Sequence, residues 1–358
     1  MIHLKRILGI LVHQINDPHR YDPLRAIALE TGFHDILVYT PLDINFKAEK
    51  IDGYFFNEGN WEKSAQPFPS ITYDIGYYSE SNLIQKMKKV KEHPRLPLVG
   101  YSIGNKWTIQ RHLALSKHLR PYLLPTIIVK NPSTIISMVQ KHSSIMIKPL
   151  NGKGGKGIVR LTKMPAGYTH IEQDQPKEEY YNESEIRHIW EERLKIGKYI
   201  AQKWVDIRDK QGLVYDIRVL MQKNHTGRWQ LTGMGVRQGE SQGITSNLTG
   251  GGHAFPVQPF LRQQFQEQAA IDLSTKIEKI GWYIPTFLER TYKRRLVELG
   301  LDLAIDRDQR IWIIEVNIKP GKTLMRKISD FEADRQVLRA PVQYAWYLLD
   351  RIKNKRTP

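Results

Sequence analysis

Read on its own, the sequence predicts an α/β (α+β) chain of two or three domains, and three observations carry that reading. The chain has 358 residues, more than one ordinary hydrophobic core accommodates. Over the first hundred residues short apolar runs alternate with helical patterns, as in a small α/β domain with a parallel sheet. Beyond residue 199, β-rich runs follow one another across polar turns and then give way to a long amphipathic segment.

The elements follow in order. "ILGILV", residues 7–12, reads as a first buried strand; it is too short for a membrane span, and no small-residue cleavage site follows it. "PLRAIALETG" has helical spacing and ends at Gly32, a C-terminal cap. "DILVYTP" and "IDGYFFN" read as strands, and "SNLIQKMKKVKEH" as an amphipathic helix capped by Ser81 or Asn82. "LPLVGY" closes the region. "NKWTIQRHLALSKHL" is helical, "TIIVK" and "SSIMIKPL" are strands, and "PSTIISMVQKH" is the helix between them. The polar stretch 165–190 fits an insertion or hairpin. "YIAQKWVDI", "YDIRVLMQ" and "WQLTGMGVRQG" are β-rich, and "RQQFQEQAAIDLSTKIEKIGWYI" is a helix. "GLDLAIDRDQRIWIIEVNIKPG" reads as two strands turning at Asp306 to Arg310. The last helix contains Pro341 and starts or kinks there.

Four segments carry chemistry. In "WIIEVNIKPG" an apolar strand is interrupted by Glu315, with Asn317 two residues on. Strand residues two apart share a face, and the partner strand can bring Asp302 opposite them. Two carboxylates and an amide are hard oxygen ligands suited to Mg²⁺; the plainer reading is a wet edge strand starting a turn. In "IMIKPLNGKGGKGI" a strand ends at Lys148. A loop bearing Gly152, Lys153, Gly154, Gly155 and Gly157 follows, and it reads as a phosphate flap or a glycine-rich hairpin turn. It is no Walker A loop. "YIAQKWVDI" ends in a polar exit where edge backbone could bond an adenine. "SNLTGGGHA", with Asn247, lies near Arg237 and Arg218, which suit a developing anion or are ordinary surface arginines.

Taken together and in order, Lys106, Lys148 with its glycine loop, "QKWVDI", "DIRV", "SNLTGGG" and "GLD … EVNIKPG" resemble the ATP-grasp superfamily. The similarity is to its ribosomal-protein glutamate ligase and glutathione synthetase branch. Length, basicity, lack of Cys, the loop around Lys148 and "SNL" with its glycines are also similar to the YheC/YheD family, described as endospore coat-associated. The resemblance implies an ATP-grasp fold behind an N-terminal Rossmann-like pre-ATP-grasp domain. The expected division is 1–100, a lid subdomain at 101–200, and a C-terminal subdomain with the Mg site at 201–358.

The resemblance also implies roles. Lys106 and Lys148 contact ATP phosphates, and Gly152 to Gly157 form the flap. Gln202, Lys203 and Val205 line adenine and ribose. Arg218, Arg237 and Asn247 steady the γ-phosphate or an acyl phosphate, and Asp302, Glu315 and Asn317 hold Mg²⁺, with Mn²⁺ as alternative. Lys203 departs from the acidic or apolar residue of many relatives. The implied activity is ADP-forming ligation of a carboxylate to an amine. A kinase on the same frame and a non-enzymatic coat protein are the alternatives.

Composition narrows the rest. Cysteine is absent, which excludes disulfides, zinc thiolates and a Cys nucleophile and points to a reducing, cytoplasmic setting. The net charge of +17 favours polyanions, among them phosphates and anionic spore polymer, and coat proteins are further expected partners. No nucleic-acid-binding motif is present, so no specific nucleic-acid partner is expected.

Overall fold

The computed structural model describes residues 6–152, 154–241, 243–246, 251–328 and 331–354, side chains at 331–333 and 352–354 excepted. Lys153 and Asn247 lie outside them. Three sheets follow one another along the chain, and each is hydrogen-bonded within itself.

The first sheet contains β1 (Ile7–Leu11), β2 (Asp35–Tyr39), β3 (Ile44–Asn45), β4 (Lys50–Asn57), β5 (Asn60–Pro67) and β6 (Ile71–Asp74). Its path is β3-β4-β2-β1-β6, with β5 on β4. The expected strand at 7–12 is its centre, with Leu8, Ile10 and Leu11 fully buried. The sheet is mixed, not parallel as the alternation suggested. Only β2, β1 and β6 run parallel. Glu58 and Gly59 both have positive φ, 47° and 91°, so a two-residue turn joins β4 to β5, and such a turn joins only antiparallel strands.

Two helices flank this sheet, α1 (Asp22–Thr31) and α2 (Ser81–Glu92). Gly32 ends α1 as expected, at φ +110° with its N–H on Ala28 and Leu29 carbonyls. A Cβ there would press on the Trp346 ring at 3.0 Å. Gly32→Ala is therefore expected to cost about 1–3 kcal/mol of stability, the range for a residue held in a disfavoured backbone region, measured by urea unfolding. The cap position of α2 falls at Glu80, with no side-chain bond; Ser81 and Asn82 lie inside the first turn. "LPLVGY" makes a single bridge, Leu98 to Thr72, rather than a strand.

The second sheet is antiparallel throughout. It contains β7 (Thr126–Val129), β8 (Ser144–Pro149), β9 (Val159–Met164), β10 (Gly167–Glu172), β11 (Gln175–Tyr181) and β12 (Tyr199–Lys203), in the order β11-β10-β9-β8-β12-β7. The polar stretch is thus a hairpin, β10–β11, running into a helix. Helices α3 (Lys106–Leu113), α4 (Pro132–His142) and α5 (Glu183–Ile196) accompany it. The second core gathers Ile135, Val139, Ile147, Leu161 and Trp190. β12 is an interior strand, not an edge. Its backbone is used by β7 and β8 on both sides, and the Lys203 and Trp204 N–H groups go to Pro125 and Ser144 carbonyls. Only the exit beyond Trp204 is left for a ligand.

The third sheet is also antiparallel: β13 (Tyr215–Lys223), β14 (Trp229–Gln238), β15 (His253–Pro256), β16 (Glu298–Ile305) and β17 (Ile311–Asn317), in the order β15-β14-β13-β16-β17. Helices α6 (Val257–Gln264), α7 (Glu267–Tyr292), α8 (Thr323–Ile328) and α9 (Phe331–Asn354) complete the fold. The predicted helix at 262–284 is split between α6 and α7. Pro341 sits inside α9 rather than starting it.

Two helices pack away from their sequence neighbours. Ile109 and Leu113 of α3 share the third sheet's core with Ile217, Leu301 and Ile284. Val342, Tyr344, Ala345 and Leu348 of α9 enter the first sheet's core beside Leu8 and Ile27. Fully burying a large aliphatic side chain contributes about 1.5–3 kcal/mol, so such a stripe outweighs proximity in sequence.

Candidate active site

A cleft of about 770 Å³ opens between the second and third sheets. One wall is Met146 and Lys148 of β8, Ile158 after the glycine loop, Gln202 and Lys203 of β12, and the exit residues Trp204, Val205, Ile207 and Arg208. The other is Asp216, Arg237, Asp302, Ile314 and Glu315.

The third sheet's register builds its polar floor. Residues opposite one another across an antiparallel ladder share a face. Arg237 lies opposite Asp216, Arg218 opposite Asp302, and Asp302 opposite Glu315. Asn317, two beyond Glu315, lies opposite Gly300. The expectation that Asp302 faces Glu315 and Asn317 therefore matches the pairing. Gly300 is needed here: a Cβ would meet Pro320 at 2.6 Å and the Arg218 guanidinium at 3.3 Å.

The arginines are not free surface groups. Arg218 makes a two-pronged pair with Asp302, its Nη2 donating to Oδ2 at 3.1 Å. Arg237 donates from Nε to Asp216 Oδ1 at 2.7 Å and reaches Asp302 Oδ2 at 3.0 Å. Ser246 Oγ donates to Asp216 Oδ2 at 2.7 Å, and Asn317 Nδ2 to Asp302 Oδ2 at 3.3 Å. All four charged groups are at least 92% buried. Burial pushes the Asp302 carboxyl up, but Arg218 and Arg237 overcome it and hold it at about 2. The Asp302 carboxyl is thus ionised at physiological pH.

The lysines come from separate elements. Lys106 is the first residue of α3, behind the Asn105 cap, and its Nζ is 3.2 Å from Glu315 Oε1. Lys148 donates from Nζ to Gln202 Oε1 at 2.7 Å, and Gln202 Nε2 donates to Thr126 at 3.2 Å. Gln202 thereby positions Lys148. Burial lowers the Lys148 ammonium to about 8, against the attraction of Glu315.

The glycine loop closes the β8–β9 hairpin. Gly154, Gly155 and Gly157 all have positive φ, 68°, 83° and 68°, which a side chain would strain. The Gly157 N–H donates to Asp174 at the β10–β11 turn, 2.8 Å. The same turn reaches the far wall, where the Ile244 N–H donates to Gln173 Oε1 at 3.1 Å.

Asp302, Glu315 and Asn317 suit a hard divalent cation: two carboxylates and an amide, with further positions left for water and phosphate oxygens. Among the described residues no group of three His, Asp or Glu gathers as an all-protein cage. Lys203 and Arg208 with Lys106, Lys148 and the arginines give the cleft an excess of positive charge suited to a polyphosphate. The sequence reading missed Asp216 and the wall residues Trp204, Ile207 and Arg208. Asp216 stands two before Arg218, the same one-face spacing used for Glu315 and Asn317, so a signal was present.

A sequence model of the YheC/D-like ATP-grasp family matches residues 95–348. The chain is 28% identical to endospore coat-associated protein YheC of Bacillus subtilis over 326 residues, 88% of this chain and 89% of that protein. It is 24% identical to endospore coat-associated protein YheD of the same organism over 323 residues, 88% of this chain and 70% of that one. Among solved structures it is similar to D-alanyl-alanine synthetase A of Vibrio cholerae. The TM-score is 0.53 at 14% identity, over 94% of this chain and 99% of the other. The two sheets facing one another across a charged cleft are thus an ATP-grasp fold, and the chain belongs to the YheC/D-like ATP-grasp family.

Proposed function

We propose that this chain is an ATP- and Mg²⁺-dependent ligase that joins a carboxylate to an amine and forms ADP. The observation that carries the reading is the convergence of Lys106, Lys148, Arg218 and Arg237 on Asp302, Glu315 and Asn317 beside an apolar slot. Met146, Ile158, Val205 and Ile314 would enclose the adenine, with the exit peptide at Val205 bonding its edge. The phosphates would lie under the glycine loop against Lys106 and Lys148. Asp302, Glu315 and Asn317 would hold Mg²⁺, or Mn²⁺ in its place, and the ion would neutralise charge on the phosphate oxygens.

The substrate carboxylate attacks the γ-phosphorus, the bond to the β–γ bridging oxygen breaks, and ADP leaves. The amine then attacks the acyl carbon and expels phosphate, losing a proton as the amide forms. Such chemistry needs alignment and fixed charge rather than a protein nucleophile. Arg218 and Arg237, held by buried carboxylates, would supply that charge without reorganising. Mass spectrometry of products after incubation with ATP, Mg²⁺ and pooled carboxylates and amines tests the reading. Water loss with ADP release supports it; addition of phosphate to an acceptor instead makes the chain a kinase. The names of the relatives support an association with the spore coat, through coat proteins or anionic spore polymer.

A pH dependence follows from Lys148. Its cation binds phosphate, and the free chain's group titrates at about 8. ATP affinity is then full below that pH and falls as pH rises through it, by up to tenfold per unit. Lys148→Arg keeps its charge and should flatten the profile. Calorimetric titrations from neutral to alkaline pH check this, and a flat wild-type profile would remove Lys148 from phosphate binding.

A further inference from the structure

Residues 93–171 contain twelve Lys or Arg and neither Asp nor Glu. Within that stretch, α3 and the turn after it pack beside α7. Large apolar side chains reach solvent on both elements: Leu115 is 67% exposed, Trp282 45% and Tyr283 39%. The two sides are tied together. Ser116 Oγ lies 3.4 Å from the Tyr283 hydroxyl, the His118 ring meets Tyr283 edge-on at 5.6 Å, and Tyr283 stacks on Phe287 at 6.0 Å.

Charge frames the patch. At 100° per residue, Lys279, Thr286 and Arg290 fall between Trp282 and Tyr283 around α7, and all are exposed. Lys117 and Arg120 border Leu115 from the other side and are exposed too. Of the acids on this half of α7, Glu289 is consumed by Lys223 at 2.7 Å and Trp229 at 2.9 Å. Glu278 falls on the flank of Trp282 away from α3.

We infer that this seam docks an acidic polypeptide segment that carries apolar side chains. Contiguous exposed apolar surface rimmed by polar groups marks interaction sites, and Trp, Tyr and Arg are the residues that anchor protein interfaces. The absence of acid from one whole side of the seam sets the partner's sign. A nucleic acid fits less well. The Tyr283 ring is already occupied by Phe287 and the His118 edge, so it offers bases no open platform. Leu115 offers only aliphatic contact. The surface lies outside the cleft: Lys106, at the other end of α3, is about 10 Å along the helix axis from Leu113. A docked partner therefore sits beside the cleft mouth without filling it.

The test is fluorescence anisotropy of a short labelled peptide of Asp and Glu with interspersed Leu and Phe. Poly-L-glutamate of matched length and a single-stranded oligonucleotide serve as competitors. Two surface double variants are compared, Leu115→Glu/Trp282→Glu and Lys279→Glu/Arg290→Glu, with unchanged thermal midpoints as the check on folding. Each should weaken the mixed peptide about tenfold, equal to about 1.4 kcal/mol. Poly-L-glutamate should compete at least tenfold less well. Equal competition by poly-L-glutamate, unchanged affinity in both variants, or tighter, Trp282-dependent competition by the oligonucleotide would each overturn the proposal.

Discussion

Replacing Glu315 by alanine should abolish Mg²⁺-dependent ATP turnover, a loss on the order of 100- to 1,000-fold. Glu315 is one of only two carboxylates in the proposed ligand set, and it is the partly exposed one, on the edge strand β17. Its removal leaves the buried Asp302 pairs intact, so the fold should hold. The Lys106 ammonium, 3.2 Å away, loses its partner but can turn to phosphate or water. Calorimetry with and without Mg²⁺ separates the contributions. Wild type should bind ATP far more tightly with Mg²⁺, and Glu315→Ala should show the weak, metal-independent affinity in both. If the variant keeps the wild-type response to Mg²⁺, the ion is held elsewhere.

The second large effect is on stability. Arg237→Leu strands Asp216 and weakens the compensation of Asp302, both buried. Breaking a buried pair by removing one partner costs about 3–5 kcal/mol, because the remaining charge has no solvent. Urea unfolding at neutral pH should read that loss. Its pH dependence has a defined sign. Burial already raises the Asp216 carboxyl, against Arg237's pull, and without Arg237 it should rise further. A carboxyl whose folded pKa exceeds its unfolded value gains stability on protonation, so the deficit should shrink as pH falls through the weakly acidic range. Asp216→Asn/Arg237→Leu should recover much of the loss at neutral pH. A variant as stable as wild type would mean that the two arginines divide the charge differently from the observed pairing.

Much of the site was legible in the chain. Glu315 and Asn317 are two apart in a strand, and that period alone puts them on one face. The turn at Asp306 to Arg310 by itself would set Asp302 opposite Ile314; a bulge between Asp302 and Leu303 shifts it to Glu315. The glycines after Lys148 foretold a flap or hairpin loop, and the structure closes the β8–β9 hairpin there. Less legible was anything depending on a third strand. Arg218 and Arg237 read as free cations because their partners are strand neighbours: Asp302 lies 84 residues from Arg218, and Asp216 lies 21 from Arg237. The exit strand at 199–203 read as an edge because only β7 and β8, folding onto both sides of it, make it interior.

Amino-acid order settles the type and span of most elements, the shared face of Glu315 and Asn317, and the order of motifs that marks an ATP-grasp chain. These rest on local periodicity and on the backbone preferences of Gly and Pro, which do not depend on distant residues. Tertiary structure alone decided which charges neutralise one another, and that Gln202 holds Lys148. It also decided that α3 joins the third sheet's core and α9 the first, and that the turn bearing Leu115 packs against Tyr283 of α7. Those outcomes turn on burial and on register between strands far apart in the chain, where desolvation makes each buried charge take the nearest partner that the sheet supplies.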